Sequence, residues 1–148
     1  MARQVLGVIA GFVAWMIVAT VVGAIMRASW ADYNAVADAM TFTLPMMFAR
    51  LAIGALATMA AGWVTAAIVG PSTVSTLMPG VLLLIGFIPI HIGLWAKFPV
   101  WYHLTFLVSL VPLTWLGARL AGRWRVVGVR ERDAAIQSAP QVPSARSR

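Results

Sequence analysis

From Val5 to Met26 the chain carries no charged side chain, and at about 1.5 Å per residue a helix of that length spans the roughly 30 Å hydrocarbon core of a bilayer. It is also longer than the apolar core of a signal peptide, which runs to about 7–15 residues. Three more apolar stretches follow, so the predicted spans are 5–26, 45–69, 79–96 and 100–121. With 61% hydrophobic and 10% charged residues, against about 25% charged in soluble domains, the chain must bury its apolar surface in lipid. The expected fold is an all-α membrane protein, a four-transmembrane-helix antiparallel bundle.

Punctuation residues set the boundaries. Pro45 suits the first turn of the second span, and Gly70-Pro71 ends it. Met78-Pro79-Gly80 is read as the opening of the third span, and Pro99 separates the third from the fourth. Pro89 and Pro112 lie inside their spans and free the carbonyls of Ile85 and Val108. Between the first two spans, Trp30, Tyr33, Val36, Ala37 and Met40 share one helical arc. A short interfacial helix over 29–41 is expected there, capped by Ser29, with Trp30 and Tyr33 at headgroup depth. After about Val129 no apolar period survives, and residues 128–148 are read as a disordered basic tail.

Charge distribution orients the spans. Arg3, Arg119, Arg123, Arg125, Arg130 and Arg132 flank one side, whereas Arg27, Arg50 and Lys97 on the other are partly offset by Asp32 and Asp38. The positive-inside rule then puts both termini in the cytoplasm. Ten of the eleven basic residues are arginine, consistent with a GC-rich bacterial coding sequence and hence with the cell inner membrane.

Several chemistries are excluded by what the chain lacks. It has no cysteine, so disulfides, thiolate metal sites and thiol nucleophiles are out. No Asp or Glu lies within a predicted span, which removes the carboxylate relay of proton-coupled transport. No serine is spaced with a histidine and an acid as a hydrolase requires, and no Gly-rich loop cradles phosphate. The net charge of +7 is concentrated in the tail, so no nucleic-acid-binding face is expected; the partner expected throughout is the lipid bilayer.

One cluster remains. His91, six residues before Lys97, and His103, four after Pro99, stand at similar heights on the third and fourth spans. Arg50 is just past the start of the second, and Tyr102 and Lys97 stand just above. The candidate ligand-binding residues are therefore Arg50, His91, Lys97, Tyr102 and His103, a donor-rich set with no fixed negative charge. Two histidines without acid or thiol fall short of a metal site, and neither catalytic residues nor a cofactor are expected. Four-residue steps from Arg50 reach Gly54, Thr58 and Gly62, a small-residue stripe for helix packing.

At Leu44-Pro45-Met46-Met47 to Arg50-Leu51, at His91-Ile92-Gly93-Leu94-Trp95 and from Lys97 to Phe106, the chain resembles a family of small four-helix bacterial inner-membrane proteins that has no assigned activity. The likeness extends over about Val5 to Arg123 and implies the same topology, but no function. The leading expectation is a non-enzymatic structural or accessory subunit, self-associating through the Gly54, Thr58 and Gly62 stripe as a homo-oligomer or joining a larger membrane complex. The alternative is a small carrier or sensor for an anionic or quinone-like ligand at the outer-face cluster. A haem-binding redox protein, using His91 and His103, ranks below both.

Overall fold

The computed structural model describes the backbone of residues 1–70 and 73–138 and the side chains of residues 1–70 and 74–123. Among these residues all regular structure is helical: α1 (Ala2–Ser29), α2 (Ala31–Ala37), α3 (Leu44–Val69), α4 (Thr73–Gly93) and α5 (Val100–Ser138). Four helices, Ala2–Ser29, Leu44–Val69, Val74–Gly93 and Val100–Arg123, are long and apolar enough to cross a membrane. Their outward side chains, among them Ile9, Ile17, Phe48, Ile85 and Val108, are apolar and more than half exposed.

α3 lies at the centre, touching α1, α4 and α5. It buries small residues: Gly54, Ala57, Thr58, Ala61, Gly62, Thr65 and Ala66. Lipid is as apolar as leucine, so helices gain little from hiding leucine against one another and associate by close approach and hydrogen bonding. Both are present. A Cβ on Gly62 would overlap the Thr114 carbonyl, and one on Gly117 the Met59 carbonyl, so the α3 and α5 backbones nearly touch. Against α1, the Thr65 hydroxyl lies 3.0 Å from the Gly7 carbonyl and 2.9 Å from that of Ala61, and Trp15 Nε1 donates to Thr58 Oγ1 at 3.2 Å. Leu83, Phe106 and Leu110 form the apolar cluster between α4 and α5.

The Gly54, Thr58 and Gly62 stripe is thus consumed inside the chain. Thr58 is fully buried, Gly54 faces the Phe106 ring, and Gly62 faces Thr114. In this fold the stripe packs against the chain's own helices.

Four boundaries differ from expectation. α4 begins at Thr73 and runs through a fully buried Pro79. An interior proline is tolerable in a membrane helix because neighbouring helices and hydroxyl side chains take up the freed backbone groups. α4 then ends at Gly93, and a turn follows in which Leu94, Trp95 and Lys97 donate back to Ile90, Ile92 and Leu94. Ser29 does not cap α2: it is the last residue of α1, its hydroxyl donating to the Ile25 carbonyl at 2.8 Å. α2 is correspondingly shorter than 29–41, and the chain leaves it through Met40 at φ 57°. Finally, α5 continues to Ser138, past Gly128, where the tail was expected. The Arg, Glu, Ala and Gln residues there are good helix formers that extend an existing helix without needing an apolar face. Residues 139–148 of that tail lie outside the described residues.

Candidate functional site

Arg50 enters the molecule from the second turn of α3, at the end nearest α2. Its Nη1 donates to the Tyr33 hydroxyl of α2 at 2.7 Å, and its Nε to the Tyr102 hydroxyl of α5 at 3.3 Å. The guanidinium carbon lies 4.5 Å from the centre of the Phe42 ring and 6.0 Å from that of Phe98, so ring faces supply part of the missing counter-charge. Among the described residues no carboxylate does. The acids with described side chains are Asp32, which is exposed, and Asp38, which pairs with Arg27 at 2.7 Å.

α2 is held where it can reach Arg50. Arg27, at the end of α1, donates to Asn34 at 3.1 Å as well as to Asp38. Both contacts are exposed and individually weak, but together they fold α2 back over the bundle. Tyr33, expected at headgroup depth, is only 3% exposed. It stacks on Phe42 (5.1 Å, 22°), which stacks in turn on Phe98 (6.0 Å, 14°). A tyrosine hydroxyl covering the arginine satisfies both polar groups at once.

Below the arginine, His91 of α4 and His103 of α5 meet. Their Nδ1 atoms are 2.8 Å apart, so one imidazole donates and the other accepts. His91 is 7% exposed and His103 fully buried. Trp95 covers His103 in a near-parallel stack (4.8 Å, 11°), and Phe106 covers His91 (4.8 Å, 22°). His103 Nε2 is buried without a hydrogen-bond partner, a costly arrangement for a ring nitrogen.

These groups share one cavity of about 240 Å³. Arg50, His91, Tyr102 and His103 line it, and so does Tyr33. Lys97 does not: it is exposed in the turn after α4, where the buried Phe98 takes the inward position. Trp15, Phe87 and Phe106 form an aromatic floor, and Ala19 and Gly23 of α1 line the wall. Four of the five residues expected to cluster therefore do so. Tyr33, Phe42 and Phe98 were not foreseen, although an in-span arginine without an in-span acid is itself a signal that hydroxyls and ring faces must surround it.

Chemically the site offers hydrogen-bond donors and aromatic ring faces to a ligand. Among the described residues no group of three or more His, Cys, Asp or Glu could hold a metal ion. His91 and His103 are in direct contact, so a porphyrin between the two rings would require them to part. Comparisons with protein families, with curated proteins and with solved structures found no match.

Proposed function

We propose that this is a multi-pass membrane protein acting as a small carrier or sensor, which holds an anionic or quinone-like ligand in the cavity between Arg50 and the histidine pair. The observation that carries this is a guanidinium lining a largely aromatic cavity with no carboxylate beside it among the described residues. Pockets of this kind, mostly apolar with a few convergent polar groups, are the usual form of small-molecule sites. The structural or accessory role is the weaker reading, since the small-residue stripe that would have met a second chain is occupied within the first.

The proposed setting is a bacterial inner membrane, with spans alternating in direction as an antiparallel bundle and both termini cytoplasmic. Supporting the alternation, Gly7 and Gly11 of α1 approach the far end of α3 at Val69 and Thr65, while Gly80 of α4 approaches Thr114 of α5. Arg3 donates to the Ile68 carbonyl at 2.7 Å, so the amino terminus and the end of α3 lie together. α2 serves as the interfacial helix, its exposed Asp32 and Asn34 turned away from the buried Tyr33. The basic flanks of α1 and α5 support the orientation.

The test is native mass spectrometry of protein purified in mild detergent, with extraction and identification of bound small molecules. Wild-type protein is expected to retain a ligand, and Arg50→Ala and His103→Ala to lose it. A wild-type protein that carries nothing, and takes up neither a quinone nor an anionic amphiphile when these are added, rules the reading out.

A further inference from the structure

The polar wall of the cavity is made almost entirely of donors. Each phenol oxygen, Tyr33 and Tyr102, accepts from Arg50, which leaves each hydroxyl proton to be given elsewhere, and the guanidinium retains donors beyond the two engaged. In the histidine pair one Nδ1–H is spent on the other ring, so the remaining ring nitrogens are one N–H donor and one lone pair. A ligand here must bring acceptors. Among the described residues the wall holds a single formal positive charge, that of Arg50, with Lys97 turned outward and no acid nearby. An uncompensated cation among aromatic rings is stabilised most by one negative charge. A neutral quinone leaves that charge uncompensated, and a phosphate brings more charge than one guanidinium matches.

The apolar wall indicates what the acceptor group is attached to. α1 packs on α3 through Gly7, Gly11 and Trp15, but beyond Trp15 its small residues Ala19 and Gly23 line the cavity. A Cβ built on Gly23 meets nothing within 4 Å, so the space beside it belongs to neither helix. A volume of about 240 Å³ admits a head group and the first carbons of a chain, not a two-tailed lipid.

Resting on the binding role proposed above, we infer that the cavity takes the carboxylate head of a single-chain amphiphile, a fatty-acid-like monoanion. The carboxylate pairs with Arg50 and accepts from the Tyr33 and Tyr102 hydroxyls. Its first methylenes lie along Ala19 and Gly23 over the aromatic floor.

Equilibrium gel filtration in dodecyl maltoside with radiolabelled palmitate tests this on the full chain. One palmitate per chain is expected, displaced by other long-chain carboxylates and not by hexadecanol at the same concentration. Arg50→Gln should weaken binding about 10- to 100-fold, the worth of a charge-assisted hydrogen bond. Gly23→Leu, which leaves every polar group in place and fills the space, should abolish it, while Lys97→Ala should leave it unchanged. Should Arg50→Gln fail to fold, Arg50→Lys, which keeps the charge but not the fork, should still weaken binding, and Gly23→Leu remains decisive. Palmitate binding that survives Gly23→Leu, or that hexadecanol displaces equally well, overturns the inference. If a decyl-benzoquinone or hexadecyl phosphate binds in an Arg50-dependent way and palmitate does not, the carboxylate assignment fails and the wider binding role stands. If none of the three binds, both fail.

Discussion

Arg50 shares its four-residue stripe with Gly54, Thr58 and Gly62, which turns it toward other helices. In the fold it is held by two phenol oxygens and faced by two rings. Tyr33→Phe isolates this effect, since the ring stack on Phe42 is retained and only the hydroxyl is lost. The variant should lose about 1 kcal/mol of stability, between the small mean worth of hydrogen bonds in membrane proteins and the larger worth of those to charged groups, measured by denaturation in mixed micelles. The exposed Arg27 and Asp38 pair is different. Asp38→Ala should change stability by less than about 1 kcal/mol, with the difference fading at high salt. Equal losses from the two variants would contradict the assignment of Arg50 to a sheltered site.

At the scale of the helices, α3 organises the molecule because small residues run along the faces it turns to α1 and α5. Gly62→Ala puts a methyl into the Thr114 carbonyl and forces α3 and α5 apart, at an expected cost of about 1–3 kcal/mol for overpacking. Gly86→Ala is its control: nothing lies within 4 Å of the added Cβ, and replacing a helical glycine should be neutral or stabilise by up to about 1 kcal/mol. Thermal unfolding of the two variants side by side checks both. The same element shows how much a small-residue stripe specifies. Gly54, Thr58 and Gly62 are legible in the sequence as a packing face, but a four-residue period carries no information about whether the partner helix belongs to the same chain. Similarly, periodicity puts Tyr33 on an arc with Trp30, yet only the fold of α2 onto α3 decides that one is buried at 3% and the other is not.

For the whole molecule the absence of cysteine makes topology simple to measure. With Arg3→Cys and Lys97→Cys introduced singly, an impermeant thiol reagent added to intact cells should label the second and spare the first until the membrane is opened. Labelling of both, or of Arg3→Cys alone, would reverse the proposed orientation. That the chain forms four helices long and apolar enough to cross a membrane was determined by the sequence by itself, because length and hydropathy are summed over some twenty residues, and such sums survive errors of a few positions. The height of Arg50, His91, Tyr102 and His103 was legible for the same reason, since it follows from counting residues from the turns. Direction around each helix was decided only by the tertiary structure. It put Lys97 outside and Phe98 within, joined His91 to His103, and brought Tyr33 down on Arg50, because those choices depend on contacts between segments that no local pattern encodes.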